Sequence, residues 1–485
     1  MVLDKVRTRF APSPTGYMHV GNLRTALYAY LIAKKNGGSF ILRIEDTDRE
    51  RYVEGAVDII YSTLREAGLN WDEGPDIGGS YGPYVQSERM GIYLGYAKEL
   101  CEKGGAYYCF CTKEELDARL KHEKFEEEVT HYDGHCRAIP LEEAKRRVAA
   151  GEPYVIRQKM PREGVTTFND LVYGEITVEN SELEDQILIK SDGMPTYNFA
   201  NVVDDHVMGI THVVRGSEYL SSSPKYNLLY EAFGWDVPAY VHCAPVMKDE
   251  HQKLSKRNGD ASYQDLVAKG YLPGAILNYL ALLGWAPKSE REIFSLPELV
   301  EAFDISGISK SPAIFDVGKL NFINAEYIRA LSHDEYKRHA MPFIRQAVRR
   351  DDIGFDVLCD AMQPRTEVFS EIPGKLGFID ALPVYGNELY ANKKMKTDAD
   401  SAKTALEWTL PVLEGIPEKD WTFDNVHEKL FALIAEKGVK NGWLLWPLRT
   451  ALSGVPVSPG GGVELAVVLG RGETLARVRK GLAQL

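Results

Sequence analysis

The spacing of apolar residues near the N-terminus predicts a strand, a loop, a helix and a second strand in quick succession. Residues 6–10 form the first predicted strand, and residues 11–16, with two prolines and a glycine, cannot continue it. Residues 21–35 then carry apolar side chains at the spacing of one helix face: Leu23, Leu27, Tyr30 and Leu31. Residues 39–44 follow as the second strand. This order indicates the first βαβ unit of a parallel sheet of the nucleotide-binding type.

A second segment of the same kind follows later in the chain. Residues 187–189 and 210–214 are strand-like, and residues 197–207 between them have a helical pattern. The stretch from 107 to 183 differs in character, because it holds three of the six cysteines and a predicted charged helix at 114–128. The simplest interpretation is one α/β domain that is interrupted by an insertion.

Amphipathic helical patterns dominate from about residue 325 onward. They are clearest at residues 335–349, 402–413 and 425–435, and a stretch rich in Gly, Pro and Val at 453–462 predicts a loop between the last helices. We therefore predict an α/β fold: a split Rossmann-like domain with a parallel sheet and an α+β insertion, followed by an all-α C-terminal region.

A chain of 485 residues suggests about three domains, at roughly 150 residues per domain. The predicted segments are 1–106 and 186–252 for the two halves of the sheet domain, 107–185 for the insertion, 253–324 for a connecting domain, and 325–485 for the helical region with a subdivision near residue 380.

Composition narrows the class of protein only in part. Hydrophobic residues make up 44% and charged residues 26% of the chain, which excludes a disordered protein. No apolar stretch reaches the roughly 20 residues of a membrane helix, and no signal peptide or disulfide framework is evident, so we expect a cytoplasmic protein. The net charge of −13 does not indicate a nucleic-acid partner, but it does not exclude one, because binding depends on local basic surface.

The strongest local signal lies between the first predicted strand and its helix, in Pro14-Thr-Gly-Tyr-Met-His19-Val-Gly21-Asn22. A helix N-terminus presents free backbone N–H groups and the positive end of its dipole to phosphate. Gly21 allows a nucleotide to approach the backbone, while His19 and Asn22 offer side-chain hydrogen bonds. The alternative is that the motif only caps a helix, since short motifs recur by chance.

A second signal is Lys253-Leu-Ser255-Lys256-Arg257, which precedes an Asn-Gly pair. Three cations and a hydroxyl before a flexible turn can close over a triphosphate. A solvated basic loop is the alternative, and it would be favoured for an isolated motif of this length. The placement of the two motifs favours phosphate binding, because the second follows the last strands of the same split domain.

Together the two motifs resemble the His-X-Gly-His and Lys-Met-Ser-Lys-Ser signatures of the class I aminoacyl-tRNA synthetases. Asn22 and Leu254 depart from the class signatures, and both departures are common in the glutamyl branch of that family. Three further segments are similar to the glutamyl branch, and the resemblance covers essentially the whole chain: Arg9-Phe-Ala-Pro-Ser-Pro-Thr-Gly, Arg43-Ile-Glu45-Asp-Thr-Asp48 and Tyr197-Asn-Phe-Ala-Asn201-Val-Val-Asp-Asp-His.

The resemblance implies a pocket for L-glutamate. Arg9 and Arg215 would receive carboxylate oxygens, because the planar fork of an arginine meets a carboxylate bidentately. Ser13 and Glu45 would hold the amino-acid end, with Glu45 countering the ammonium group.

Three more residues complete the implied pocket. Tyr197 and Asn201 would line it, and Glu218 would meet the nucleotide or the end of the tRNA. Tyr197 has a buried core position as its alternative, since aromatic residues on helix faces are usually buried. For Asp46 and Asp48 we prefer a helix cap or an exposed acidic turn.

The implied reaction forms glutamyl-adenylate from ATP and L-glutamate and then transfers the glutamyl group to tRNA(Glu). Neither step needs a protein nucleophile. Catalysis would come from in-line positioning and from charge stabilisation by Mg²⁺ and by the residues of the two motifs: His19, Lys253, Ser255, Lys256 and Arg257. ATP would contact Gly21, Asn22, Lys256 and Glu218. No membrane partner is expected, and the chain is expected to act as a monomer.

The insertion contains residues that can bind one Zn²⁺. Cys109 and Cys111 lie one residue apart, and Cys136 follows in Tyr132-Asp-Gly-His-Cys136. Three thiolates with Tyr132 or His135 as the fourth ligand would complete a tetrahedral site. Three reduced cysteines without a metal are the alternative.

By resemblance, the insertion (107–185) is expected to bind the acceptor end of the tRNA, the domain at 253–324 to contact its stem, and the helical region to read its anticodon. Single-stranded bases are recognised by stacking on aromatic and Arg side chains and by pairing of their edges. The candidates are Arg365, Trp443, Trp446 and Arg449, with Lys437 and Lys440 for phosphates. By resemblance, Arg365 would reject glutamine tRNA. The two tryptophans also have the spacing of a buried helix face.

Four other functions remain as alternatives. A glutamyl-queuosine tRNA synthetase would lack the long helical tail, and a glutaminyl-tRNA synthetase would carry β-barrels in its place. A nucleotidyltransferase without an RNA substrate is also disfavoured by the tail. Intact motif residues disfavour a non-catalytic, RNA-binding paralogue.

Overall fold

The computed structural model describes residues 5–47, 53–116, 132–254 and 262–485, and the chain divides into two compact units. The first, here called the sheet unit, comprises Met1–Asp265 and Leu277–Asp316. The second, here called the helical unit, comprises Leu266–Ile276 and Val317–Leu485. The connecting domain expected at 253–324 is therefore divided, with its larger part in the sheet unit.

Eleven strands lie in the described part of the sheet unit: β1 (Arg7–Phe10), β2 (Ser39–Leu42), β3 (Ala106–Cys109), β4 (Val155–Gln158), β5 (Val165–Asp170), β6 (Gly174–Glu179), β7 (Ile187–Ile189), β8 (His212–Gly216), β9 (Ala239–Cys243), β10 (Val246–Met247) and β11 (Ala313–Ile314). Six of them form the main sheet in the order β2-β1-β8-β9-β5-β6, where all pairs are parallel except β5–β6. The predicted parallel sheet is confirmed.

The first predicted βαβ unit is present as β1, the helix α1 (Val20–Lys35) and β2. Buried leucines along one face of α1 hold the helix against the sheet. The turn into β2 requires glycine, because a Cβ on Gly38 would lie 1.9 Å from the carbonyl oxygen of Val6, and Gly37 has a φ of +61°. The later helix predicted at 197–207 is also observed, as Tyr197–Val207.

Strand pairing differs from the predicted division of the sheet domain. Strands β5 and β6 lie inside the segment predicted as an insertion, yet β5 pairs with β9 and extends the main sheet. Conversely, β7, which was assigned to the second half of the sheet domain, pairs with β4 in a separate antiparallel sheet of order β3-β4-β7. A strand-like pattern does not specify its partner, because pairing depends on neighbours that are distant in sequence.

The helices of the sheet unit surround these sheets. After α1 they are α2 (Ala56–Glu66), α3 (Met90–Glu102), α4 (Leu141–Ala149), α5 (Tyr197–Val207), α6 (Ser223–Phe233) and α9 (Leu296–Ala302). Helices α7 (Tyr263–Ala268) and α8 (Pro273–Leu282) contribute residues to both units. Most of the charged helix predicted at 114–128 lies outside the described residues.

The helical unit confirms the predicted all-α region, and its residues form no sheet in the described ranges 266–276 and 317–485. Its helices are α10 (Val317–Arg329), α11 (His333–Ala347), α12 (Phe355–Met362), α13 (Ile372–Leu376), α14 (Ala399–Glu414), α15 (Phe423–Lys437), α16 (Asn441–Ser453) and α17 (Gly462–Gln484). Helices α11 and α14 begin at capping boxes, Ser332 with Glu335 and Asp398 with Ser401, which satisfy free N–H groups of the first turn.

Candidate active site

A cleft of about 260 Å³ opens in the sheet unit where β1 and β8 end and α1 begins. Ligand sites in parallel α/β sheets occur at this edge, beyond the carboxyl ends of the strands. The cleft brings together most of the residues predicted from the motifs: Arg9, Ser13, His19, Gly21, Asn22, Glu45, Tyr197, Arg215, Glu218 and Lys253.

His19 is the N-cap residue of α1. Its Nδ1 accepts a hydrogen bond from the backbone N–H of Gly21 at 3.0 Å. Its Nε2 lies 3.1 Å from the carbonyl oxygen of Leu254, a contact in which the ring must donate. Gly21 is restricted at this point, because a Cβ there would lie 3.1 Å from Nδ1 of His19. The helix cap that stood as the alternative to phosphate binding is therefore present, and its histidine also lines the cleft.

One residue of the second motif and two residues shortly after it contact the first motif. Leu254 meets His19 as described, Ser262 forms a bridge with His19, and the N–H of Tyr263 donates to the carbonyl oxygen of Met18 at 3.0 Å. Ser255, Lys256 and Arg257 themselves lie outside the described residues. The segment that carries them thus begins and ends beside His19.

Arg9 and Glu45 belong to a buried network of charges at one end of the cleft. Nε of Arg9 donates to the Asp205 carboxylate at 3.0 Å. Arg43 donates from Nη1 to Asp205 at 2.7 Å and from Nη2 to Glu45 at 3.0 Å. Burial raises the pKa of Glu45 above its usual range even though Arg43 and Arg9 oppose the rise. Burial also acts to raise the pKa of Asp205, but Arg9 and Arg43 outweigh it and hold that pKa low.

These shifts distinguish the two carboxylates. Asp205 is satisfied by two arginines and serves to hold them, whereas Glu45 is a buried carboxylate whose charge is incompletely compensated. A further cation in the cleft would stabilise the ionised form of Glu45. Asp205 and Arg43 were not predicted as functional, although both lie inside segments that carry the family resemblance.

Arg215 lies at the end of β8 with its guanidinium group among aromatic rings. The group is 4.7 Å from the ring centre of Tyr226 and 5.2 Å from that of Tyr219. Its Nε donates to Nε2 of His242 at 3.1 Å, and its Nη2 donates to Oγ of Ser223 at 3.0 Å. Nη1 donates no hydrogen bond to any residue that the structure describes. One edge of the guanidinium group is therefore available to a ligand in the cleft, which Arg215 lines.

Tyr197 lines the cleft, and burial, together with Glu45, raises the pKa of its hydroxyl. The side-chain amide of Asn201, predicted to line the same pocket, instead donates to the carbonyl oxygen of Tyr197 at 2.8 Å from a buried position outside the cleft lining. Glu218 lines the cleft above Gly216, where a Cβ would lie 2.1 Å from its Oε2. Asp46 accepts from the backbone and hydroxyl of Ser87, as expected of a structural residue.

His242, Asp170 and Ser223 are the residues that the sequence did not identify. His242 lies inside the buried strand β9, and Asp170 ends β5, which was not expected to reach the cleft. A polar residue at a buried strand position was the available signal for His242, and no local pattern marks the other two.

The three predicted zinc-binding cysteines come together at the end of β3. The Sγ atoms of Cys109, Cys111 and Cys136 all lie within 4.8 Å of one another. The hydroxyl of Tyr132 is 3.2 Å from Sγ of Cys109 and 3.8 Å from Sγ of Cys111. His135 is exposed and does not belong to this cluster. The hydrogen bond between Cys109 and Cys136 lowers the pKa of Cys109 and raises the pKa of Cys136, and burial raises the pKa of Cys111, so Cys109 is the thiolate of the metal-free cluster.

The predicted tRNA-binding residues of the helical unit fall into two groups. Arg365 is exposed and lies at an apolar cavity of about 570 Å³, where its Nη1 donates to the carbonyl oxygen of Pro459. Trp443 packs against Trp408, and Nε1 of Trp446 donates to the carbonyl oxygen of Leu389 at 3.2 Å. Arg449 is buried and bonded to the loop before α17.

A parallel sheet whose first strand leads into an N-cap histidine, with Leu254 of the second motif in contact with that histidine, is the arrangement expected of a class I aminoacyl-tRNA synthetase. Comparison with known proteins supports this class. The family model for the catalytic domain of class I tRNA synthetases (E and Q) matches residues 5–322, and the model for an anticodon binding domain matches residues 326–482.

Similar proteins and structures specify the branch. The glutamate–tRNA ligase of Clostridium botulinum (strain Eklund 17B / Type B) is 60% identical over the full length of both chains. That of Clostridium novyi is 59% identical over 100% of this chain and 99% of its own. The crystal structure of a glutamate tRNA ligase from Elizabethkingia meningosepticum, in complex with its amino acid, has a TM-score of 0.87 at 36% identity and covers 99% of this chain and 100% of its own.

The chain belongs to the glutamate–tRNA ligases of the class I synthetase family, as its motifs predicted. It is therefore an enzyme. Among the helices that the structure describes, none is both long and apolar enough to cross a membrane.

Proposed function

We propose that this enzyme ligates L-glutamate to tRNA(Glu) at the expense of ATP, and that the cleft of the sheet unit carries out both steps. The observation that supports this most is that Leu254 of the second motif contacts His19 of the first motif, in the same cleft that Lys253, Arg215 and Glu45 line. An α-carboxylate oxygen of glutamate attacks the α-phosphorus of ATP, and pyrophosphate leaves. A terminal hydroxyl of the tRNA then attacks the glutamyl carbonyl, and AMP leaves.

Glutamate is recognised through its three charges. The free edge of Arg215 receives a carboxylate, and the rings around this group exclude water, which strengthens the pairing. Glu45 accepts the ammonium group, which supplies the missing cation beside that buried carboxylate. Asp205 occupies Nε of Arg9, but Arg9 still lines the cleft. Its positive charge therefore contributes to the potential near the α-carboxylate. Tyr197 and Ser13 form the wall, and Asn201 acts by fixing the backbone of Tyr197.

ATP binds at the beginning of α1 and under the second motif. The N-terminus of α1 offers backbone N–H groups and a positive dipole, and Gly21 and Asn22 let the phosphates approach. Lys253, Ser255, Lys256 and Arg257 neutralise charge on the leaving pyrophosphate. Mg²⁺ bound to ATP supplies further charge neutralisation. Glu218 faces the nucleotide side of the cleft.

The cysteine cluster is suited to hold one Zn²⁺. Cys109, Cys111 and Cys136 supply three thiolates, and Tyr132 is the fourth ligand because its hydroxyl lies against two of the sulfur atoms. Such a site would tie Tyr132 and Cys136 to the end of β3 and so stiffen the described part of the insertion, which is expected to receive the tRNA acceptor end.

The helical unit reads the anticodon. Arg365 is its reader, since the residue is exposed beside an apolar cavity that can accept an unstacked base. Discrimination against glutamine tRNA follows from that contact. A glutamyl-queuosine tRNA synthetase is not favoured, because this chain carries a matched anticodon binding domain.

Aminoacylation of transcribed tRNA(Glu) with labelled glutamate tests the function. Purified enzyme should form acid-precipitable glutamyl-tRNA only with ATP, and glutamine should not replace glutamate. Activity without tRNA(Glu) specificity, or none with glutamate, would contradict the proposal.

A further inference from the structure

Arg215 is held from behind by a chain of buried side chains that reaches the far strand β5. Nδ1 of His242 is 2.7 Å from Oδ2 of Asp170, and Nε2 of the same ring is 3.1 Å from Nε of Arg215. His242 and Asp170 are at most 1% exposed. The chain therefore crosses β8, β9 and β5, three neighbouring strands of the main sheet.

The direction of each hydrogen bond in this chain is fixed by chemistry. An arginine has only donors, so Nε2 of His242 must be the accepting nitrogen. Nδ1 then carries the proton and donates it to Asp170. Oδ1 of Asp170 also accepts from the backbone N–H groups of Val172 and Tyr173 at 2.8 and 2.7 Å, which keeps the carboxylate ionised. Burial, with Arg215 adding to the effect and Asp170 opposing it, holds the pKa of His242 low, in agreement with a neutral ring.

Ser223 completes the support of Arg215. Its hydroxyl donates to the carbonyl oxygen of Tyr219 at 2.9 Å and so accepts from Nη2 of Arg215. With Nε and Nη2 both occupied, the guanidinium plane cannot rotate freely, and Nη1 is the nitrogen left without a hydrogen-bond partner among the described residues. Asp170 itself does not line the cleft.

We propose that Asp170 is a positioning residue for amino-acid selection, which acts by fixing the tautomer of His242 and, through it, the orientation of Arg215. This inference rests on the proposed role of Arg215. A neutral His242 adds no second positive charge beside Arg215. The reverse tautomer would point an N–H group at the N–H of Arg215, and the guanidinium group would have to turn away.

The primary test is Asp170→Asn, measured through KM for glutamate and KM for ATP. The amide N–H₂ of asparagine can face Nδ1, which favours the reverse tautomer of His242. KM for glutamate should rise by at least ~10-fold, since small misplacements of a positioning group have effects of this size. KM for ATP should be unchanged. Glu73→Gln is the matched control. Glu73, like Asp170, is a hydrogen-bonded carboxylate of the sheet unit, with Arg7 and Tyr84 as its donors, and it lines no part of the cleft.

Two variants of His242 separate positioning from mere folding. The amide oxygen of His242→Gln can still accept from Arg215, so this variant should keep KM for glutamate near the wild-type value. His242→Leu fills the space but offers no acceptor, and its KM for glutamate should rise as in Asp170→Asn. Equal losses in both His242 variants, or a rise of both KM values together in Asp170→Asn, would overturn the inference.

A spectroscopic measurement reports the tautomer itself. With ¹⁵N-labelled histidine, the His242 signals, assigned by their loss in His242→Gln, should show a protonated Nδ1 and a non-protonated Nε2 in the wild type. Asp170→Asn should reverse that pattern, and an unchanged pattern would overturn the inference. If Arg215→Gln leaves KM for glutamate unchanged, the proposed role of Arg215 fails. A normal Asp170→Asn beside a defective Arg215→Gln rejects only the positioning role.

Discussion

Arg215 in the sheet unit and Arg449 in the helical unit are nearly equally buried, at 6% and 7% exposure, and both lie over aromatic rings. They differ in what remains for a ligand. Arg215 is anchored through Nε and Nη2 and keeps Nη1 for the cleft. Arg449 donates both terminal nitrogens to the loop before α17, to Ser458 and Val455, and only its buried Nε has no partner among the described residues. Arg215 thus keeps a terminal nitrogen for a ligand, whereas both terminal nitrogens of Arg449 bind the loop, although Arg449 also lines a cavity of about 380 Å³ with Trp446.

Electrostatic surroundings reinforce this difference. Arg215 is linked through His242 to the Asp170 carboxylate, so a negative charge lies behind its buried guanidinium group. Burial lowers the pKa of Arg449, and no carboxylate is hydrogen-bonded to it in the described structure. Whether such an arginine binds a ligand or supports the structure can therefore be inferred from which of its nitrogens have no hydrogen-bond partner in the protein.

The largest effect should come from removing the selecting arginine. Arg215→Gln leaves a substrate carboxylate unpaired in a desolvated pocket, which should cost about 2–5 kcal/mol in kcat/KM for glutamate. The preference for glutamate over glutamine should narrow, while KM for ATP stays the same. Arg7→Gln, which alters a buried arginine of the same sheet that lines no part of the cleft, is the control. An unchanged glutamate preference would show that Arg215 is not the selector.

The phosphate end of the cleft should respond differently. Lys256→Ala should slow adenylate formation by ~100-fold, about 3 kcal/mol of lost phosphate stabilisation, with little change in glutamate binding. Pre-steady-state activation kinetics measure this step. Lys248→Ala, an exposed lysine earlier in the same segment, should remain near wild type. A near-wild-type rate in Lys256→Ala would reject the assigned role.

The structural arginine should affect stability and not selection. Arg449→Met keeps the apolar stem but loses two hydrogen bonds to the loop, which should lower the free energy of unfolding by about 1–3 kcal/mol. Urea unfolding of the variant measures the loss. Because both kinds of tRNA depend on a folded helical unit, their kcat/KM ratio should not change. A changed ratio would mean that Arg449 reads the tRNA directly.

Arg365 should change tRNA choice by a smaller amount. Arg365→Gln should reduce discrimination against glutamine tRNA by about 1–3 kcal/mol, by analogy with bidentate base readout in DNA, while ATP and glutamate binding are unchanged. Lys375→Gln is the matched control, because it removes a charge from the same cavity and should weaken both tRNAs alike. A wild type that charges both tRNAs equally well would contradict the assignment.

The cysteine cluster should affect neither kind of selection. Cys109→Ser with Cys136→Ser should abolish stoichiometric zinc and loosen the segment around β3, while the helical unit unfolds as in the wild type. Elemental analysis of the wild type checks the metal content. Wild-type protein with no zinc, and no gain in stability on adding it, would reject the site.

The sequence predicted what local patterns and motifs can specify. The structure contains the predicted first βαβ unit, the helix at 197–207 and the helical tail. It also brings His19, Glu45 and Arg215 together in one cleft. The partner strands of β5 and of β7 could not be predicted, because β5 pairs with β9 and β7 pairs with β4, each distant in sequence. Asp170 and His242 could not be predicted for the same reason, because their link to Arg215 forms only when β5, β9 and β8 lie side by side. Asn201 and Arg449 carry suitable groups, but those groups donate to nearby residues: Asn201 to the carbonyl oxygen of Tyr197, and Arg449 to Ser458 and Val455.

The central claim is that the cleft selects glutamate and the helical unit selects the tRNA. Glutamate-dependent ATP–pyrophosphate exchange, measured with tRNA(Glu) present, tests it most directly, because it reports adenylate formation alone. We expect exchange with glutamate and not with glutamine, a collapse in Arg215→Gln, and an unchanged rate at saturating tRNA in Arg365→Gln. Normal exchange in Arg215→Gln, or an equal loss in both variants, would contradict the account.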